Sequence, residues 1–206
     1  MPSLSGYKIY DTIEPCNYSG QQLIDAMQQA LKDHLSADGR ELNLESCCIG
    51  PSGMRLIADD PRLDQVKRLN LGGNKIGDEG AEALACSGRL AKITWLELGG
   101  NRLTHEGIRH IIASPHLQKL KTLNLCRNLL RDEGARLLAQ ENRLERIEEL
   151  DLAHNEIGDA GLLALADAKH LPNLVSLYMD NNFFGKDAKD TARSAPKLKK
   201  LQSLNL

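Results

Sequence analysis

Aromatic side chains are scarce in this chain: one Trp, four Tyr and two Phe among 206 residues, or 3%. Leucine is abundant instead, with 36 copies. That composition calls for a search for internal repeats before any other reading. A basic surplus is also missing. The 26 Lys and Arg face 28 Asp and Glu, for a net charge of -2, which excludes a general nucleic-acid binder. Long apolar runs are absent too. Leu162-Leu163-Ala164-Leu165-Ala166 is typical of the longest, far short of a membrane-spanning helix. The opening MPSLSGYKIY has no basic stretch followed by an apolar one, so no secretory signal peptide and a cytoplasmic setting are expected. The five cysteines are odd in number and irregularly spaced. They read as free thiols in a reducing compartment, not as a disulfide framework. At roughly 150 residues per domain, the length gives one domain.

What is present is a period. Asparagines stand at Asn74, Asn101, Asn128, Asn155 and Asn182, each 27 residues after the last. Ahead of each comes a Leu-x-Leu-x-x-Asn pattern: Leu69 and Leu71, Leu96 and Leu98, Leu123 and Leu125, Leu150 and Leu152, Leu177 and Met179. Ile76, Leu103, Leu130, Ile157 and Phe184 follow two residues after the Asn. Gly80, Gly107, Gly134 and Gly161 come four later, with Ala188 in the last unit. Leu90, Leu117, Leu144, Leu171 and Leu198 close the units.

Residues 39–206 thereby resemble the leucine-rich repeat family, in its ribonuclease-inhibitor-like subclass. Cys47 falls at the Asn register of an earlier unit, where the signature accepts Cys. Units start at 39, 66, 93, 120, 147 and 174, and a truncated strand occupies 201–206. The resemblance implies an α/β fold: a right-handed solenoid, or horseshoe arc, with a concave parallel sheet and convex helices.

The physical chemistry agrees. Leu-x-Leu has the two-residue period of a strand with one buried face. Asn at the turn can donate and accept, so a column of them, Asn74 to Asn182, can satisfy turn backbone between coils. Asp78, Glu79, Asp132, Glu133 and Asp159 place negative charge in the first turn of each helix. Gly in that helix permits close approach to its neighbour. No unit buries its apolar side alone, so units stack. Helices take about 10 Å and strands about 4.8 Å, so the stack curves with its sheet inside.

Residues 1–38 read as an N-terminal cap. Ser19 and Gln22 make a capping box for an amphipathic helix over 19–37, and Lys8-Ile9-Tyr10 suggests a short strand before it. At the other end, Lys186, Lys189, Arg193, Lys197, Lys199 and Lys200 make the last helix basic. Three readings of this end stay open: a solubilising terminal repeat, a chain that continues, or an edge strand that self-associates.

The residues between and beside the leucines point to the concave face. Trp95, the only Trp, lies there beside Arg68, Glu97 and the Gly72-Gly73 and Gly99-Gly100 pairs. Tyr178, with Phe183, makes a second aromatic spot. Glu97, Glu149, Asp151 and Asp180 render the face between them acidic, and Arg127 and His154 stand on its turn side. Exposed Trp, Tyr and Arg are common interface anchors. The competing reading is a solvated sheet face. Cys126 and His154 sit on adjacent coils, but no oxyanion hole accompanies them. His105 and His110 are poorly spaced for a metal. No cofactor, metal or catalytic residue is expected.

The family resemblance implies a non-catalytic module that binds a partner protein, not a nucleic acid or a membrane. The uniform unit looks more like a bacterial effector-type member than like the ribonuclease inhibitor, whose units alternate and are richer in Cys. Such an effector would reach the host cytoplasm without a classical signal peptide. Two alternatives remain: a regulator of the Ran GTPase-activating type, using Arg102, Arg127 and Arg131, or the repeat portion of a larger multidomain effector.

Overall fold

A computed structural model describes residues 18–194 and 197–206. Helix α1 (Gly20–His34) leads into a regular alternation of short strands and helices. The strands are β1 (Glu41–Asn43), β2 (Arg68–Asn70), β3 (Trp95–Glu97), β4 (Thr122–Asn124), β5 (Glu149–Asp151), β6 (Ser176–Tyr178) and β7 (Ser203–Asn205). The helices between them are α2 (Gly50–Ala58), α3 (Gly77–Cys86), α4 (His105–Ala113), α5 (Arg131–Gln140), α6 (Asp159–Ala166) and α7 (Lys186–Ser194). All seven strands form one parallel sheet in sequence order. Register is uniform: Leu42, Leu69, Leu96, Leu123, Leu150, Leu177 and Leu204 lie side by side. The fold is an α/β leucine-rich repeat solenoid.

Burial follows the strand period. Leu69, Leu71, Leu96, Leu98, Leu123 and Leu125 have no exposed surface, while their neighbours on the other face are exposed or half-buried, apart from Gly72, Glu97, Gly99 and Asn124. Ile76, Leu84, Ile108, Ile111, Leu137 and Leu138 fill the helix side of the same core. Each such side chain contributes about 1.5–3 kcal/mol on burial. Adjacent coils pack against one another, so one continuous core runs the length of the stack.

Side-chain amides stitch the turns. The backbone N–H of Asn74 donates to Oδ1 of Asn101 (3.2 Å), that of Asn101 to Asn128 (3.1 Å) and that of Asn155 to Asn182 (2.9 Å). In the other direction, Nδ2 of Asn101 donates to the Leu71 carbonyl (2.9 Å) and Nδ2 of Asn155 to that of Leu125 (2.8 Å). Each amide therefore links its own coil to both neighbours. In the first coil, the Cys47 thiol donates to the Glu45 carbonyl at 3.6 Å and lies 4.0 Å from His34 Nε2.

The helix-start carboxylates do more than complement a dipole. Oδ1 of Asp132 accepts from the N–H groups of Gly158 (2.7 Å) and Gly161 (2.9 Å), at the start of the next coil's helix. Asp78 accepts from the N–H and hydroxyl of Thr104 (2.8 and 2.6 Å), and Asp159 from Gly185 (2.7 Å). A Cβ on Gly161 would lie 2.7 Å from Asp132 Oδ1 and 2.6 Å from Ile157 Cγ2. Glycine at this position leaves room for the preceding coil's carboxylate.

Met27 and Leu31 of α1 are buried, and Met27 Sδ would lie 2.8 Å from a Cβ on Gly53 of α2. The expected capping box does not form. Ser19 is the N-cap residue, but its side chain makes no cap hydrogen bond, and the helix ends at His34. Ser36 closes the connection instead, its Oγ accepting from the N–H groups of Arg40 (3.2 Å) and Glu41 (2.9 Å). Leu201, Leu204 and Leu206 are half-buried, whereas Leu174, Leu177 and Met179 one coil earlier are buried. The strand expected at Lys8-Ile9-Tyr10 lies outside the described residues. Among the described cysteines, Cys47, Cys86 and Cys126 are free thiols and Cys48 is disulfide-bonded. The expectation of free thiols throughout is therefore corrected at Cys48.

Candidate partner-binding face

Side chains on the sheet face away from the helices form columns across the strands. In the first column, Glu41, Arg68, Trp95, Thr122 and Glu149 are successive register partners. The Arg68 guanidinium lies over the Trp95 ring, 4.4 Å from its centroid, and 3.7 Å from Glu41. Trp95 is half-buried and Arg68 exposed. A cation over an indole face holds both side chains in place, so this corner of the face is ordered before any partner arrives.

The central column behaves differently. Oδ1 of Asn43, Asn70, Asn124 and Asp151 each accepts the backbone N–H two residues on, at 2.8–3.2 Å. Glu97 does the same with a longer side chain, its Oε1 taking the Gly99 N–H at 2.6 Å. This second ladder shapes the strand-to-turn transition. Its signal was present in sequence, since Asn and Asp favour this local bond. Glu97 was expected on the open face, yet only 7% of it is exposed. Its carboxylate and the Cys126 sulfur close over Gly99, where a Cβ would lie 2.7 and 2.8 Å from them.

Burial and crowding set the ionisation of this column. Desolvation pushes the Glu97 carboxyl up to about 8, with Asp151 and Glu45 adding repulsion against the bond from Gly99. Desolvation also raises Asp151 to about 6, assisted by Asp180 and Glu149. The Cys126 thiol is pushed up to about 12 by burial and by the Glu97 and Asp151 carboxylates. His154 is lowered by burial and by Arg127. A nucleophilic cysteine requires the opposite shift, so Cys126 and His154 do not make an activated pair. No group of three or more His, Cys, Asp or Glu among the described residues is placed to hold a metal.

Arg127 and His154 occupy the turn column with Ser46, Gly73, Gly100 and Asn181. All six have positive φ, from 55 to 71°. Their backbone makes the turn, and their side chains rim the face. Tyr178, Glu149 and Asp180 are half-buried on the face itself, and Phe183 at the following turn is 72% exposed. Of the three arginines in the GTPase-regulator reading, Arg131 is engaged with Glu156 at 3.1 Å.

Residues 40–58, 66–85, 116–139 and 147–166 match the family described as Leucine Rich repeat. The chain thus carries leucine-rich repeats. No curated protein matches it in sequence. Among solved structures, it is similar to an internalin, InlF, of Listeria monocytogenes, with 24% identity and a TM-score of 0.50. That match covers 74% of this chain and 37% of the internalin, so the chain spans well under half of that relative's length. Internalin C2 of the same organism gives 19% identity and 0.50 over 87% of this chain and 81% of that one. Leiomodin-1 Actin-Binding Site 2 gives 18% and 0.47, covering 85% and 87%. At these identities the likeness is one of fold. Leucine-rich repeat domains generally mediate protein–protein contacts, and fold alone assigns no partner.

Proposed function

We propose that this leucine-rich repeat protein is a non-catalytic module that binds a protein partner on its concave sheet face. The observation that carries the proposal is the ordered Arg68–Trp95 pair, an aromatic and a guanidinium held on a sheet face that the core does not use. Arg68, Trp95, Glu149, Tyr178 and Asp180 would make the direct contacts. Arg127 and His154 would border them from the turn, with Glu97 and Asp151 shaping the floor. The Asn74, Asn101, Asn128, Asn155 and Asn182 column would keep the face rigid, so that little ordering free energy is lost on binding. Residues 1–38 would serve as the end cap and 39–206 as the repeats.

Within the family, the uniform unit supports a ribonuclease-inhibitor-like, effector-type member acting in a cytoplasm. The disulfide at Cys48 counts against a reducing compartment; thiol quantification on protein from its native source tests that setting, which a free Cys48 would support and an intact disulfide would refute. The half-buried leucines beside β7 also favour self-association at that edge, which light scattering would report as a dimer. The main test is affinity capture from cell lysates, read by mass spectrometry, with wild type beside a Trp95→Ala, Tyr178→Ala double variant. A partner held by wild type and lost by the folded variant is expected. Equal retention by both would move the binding surface off this face.

A further inference from the structure

Beyond the concave face, we propose that a cationic groove on another side of the solenoid binds an acidic, extended segment of a protein partner. The groove lies on the edge where each helix returns to the next strand. There the residue just before the closing leucine is basic in all six units: Arg62, Arg89, His116, Arg143, His170 and Lys197. These side chains are exposed or half-buried, so the core does not require the choice. Three cavities, of about 300, 360 and 440 Å³, follow the same edge over the later coils. The first lies at the ends of α4 and α5, against Arg109, Gln140, Arg143 and His170. The second shares Gln140 and His170 with it and adds Asp167 and Lys169. The third shares Lys169 and continues to Lys197 and Lys199. Ile112, Ala139, Ala164 and Leu171 give this groove an apolar lining between its charges.

Charge along this edge is neutralised at one end only. Arg62 pairs with Asp60 at 2.7 Å and Arg89 with Asp64 at 3.1 Å. In the groove, Arg109 meets Glu106 at 3.6 Å and Lys197 pairs with Asp167. Arg143, Lys169 and Lys199 form no ion pair among the described residues. Besides Asp167, Glu141 is the one carboxylate in the lining. The walls are held in place before any ligand arrives. The Arg143 N–H donates to the Ile112 carbonyl (3.0 Å) and the Lys169 N–H to that of Ala139 (3.3 Å). Buried Asn142 donates to the His170 carbonyl at 2.7 Å. Two of these bonds occupy helix-end carbonyls, whose partial negative charge opposes an anion. A carboxylate would gain charge-assisted bonds from Arg143 and Lys169. Coils repeat at about 4.8 Å in the sheet and about 10 Å in the helix layer. Arg143 to Lys197, two coils apart, therefore matches roughly three to six residues of extended chain. None of the lining residues is Trp, Tyr or Phe, whereas single-stranded nucleic acids are held on aromatic platforms. The apolar lining favours a polypeptide.

The probe is a fluorescent synthetic peptide of alternating Glu and Val, with its Lys and Val counterpart and an oligothymidylate as comparisons, titrated by anisotropy. The test variant is Arg143→Gln with Lys169→Gln, at exposed side chains outside the core. The control variant, Lys32→Gln with Lys186→Gln, removes the same charge at exposed positions elsewhere. The glutamate peptide should bind wild type and the control variant alike, and the Arg143/Lys169 variant at least about tenfold more weakly. Its affinity should fall as salt is raised, since the contacts are exposed charges. The lysine peptide should not bind, and the oligothymidylate should bind more weakly than the glutamate peptide. No binding of the glutamate peptide to wild type, equal binding to the Arg143/Lys169 variant, or equal weakening in the control variant each overturns the groove. Tighter binding of the oligothymidylate, lost in the Arg143/Lys169 variant, overturns the polypeptide as its occupant. The Trp95→Ala, Tyr178→Ala variant should bind the glutamate peptide as wild type does, so this surface stands or fails apart from the concave face.

Discussion

Glu97 offers a quantitative test of how this face is built. Its carboxyl ionises at about 8 in the folded chain against an ordinary value of 4.5. A group whose folded pKa is raised holds its proton in the fold after the unfolded chain has lost it. Between pH 4.5 and 8 the native state therefore binds more protons, and stability falls as pH rises. At about 1.4 kcal/mol per pH unit, the loss approaches 4 kcal/mol between pH 5 and pH 8. That is a large part of the 5–15 kcal/mol typical of a domain. Gln at this position can still accept from the Gly99 N–H and carries no titrating charge. Urea unfolding of wild type and Glu97→Gln at unit steps from pH 5 to pH 9 should show curves that diverge steadily up to about pH 8, with the variant more stable at the high end. The difference curve removes the contributions of Asp151 and His154, which both proteins share. Parallel profiles between pH 6 and 8 would show that Glu97 ionises normally, and the account of its burial would be wrong.

The remaining predictions concern the stack and its thiols. Asn101→Ala removes an amide with no exposed surface and should cost about 1–3 kcal/mol in chemical denaturation; a loss under about 0.3 kcal/mol would deny the ladder a stabilising role. Gly161→Ala should lower Tm, because its Cβ would lie within 2.7 Å of both Asp132 Oδ1 and Ile157 Cγ2, and Asp132→Ala in the same chain should recover part of that loss. Arg102, exposed at φ 60°, should become more favourable by up to about 1 kcal/mol on Arg102→Gly, since a left-handed backbone strains any side chain; unchanged stability would remove strain from that turn. A maleimide reagent at pH 8 should label exposed Cys86 well before Cys126, whose thiol is raised to about 12, and labelling at equal rates would contradict the buried column.

Local order was legible because it repeats. The Leu-x-Leu alternation and the fixed asparagine spacing imply a strand and a turn at each unit, and stacking is the one way such units bury their leucines. The open face was legible as well, since Arg68, Trp95, Glu149 and Tyr178 fall out of the alternation as outward positions. What sequence could not reveal lies between coils. Asp132 looks like a helix-dipole residue until the next coil's turn brings the Gly158 and Gly161 N–H groups to its oxygen. Ser19 and Gln22 satisfy a capping pattern, yet the Ser19 side chain makes no cap hydrogen bond. Glu97 counts as one more surface carboxylate by register, and only its curl onto Gly99 beside the Cys126 sulfur removes it from water. Periodicity in sequence determines which way each side chain points. Desolvation, pKa and bonds between neighbouring coils depend on what the adjacent unit places opposite it, and that was decided by the tertiary stack alone.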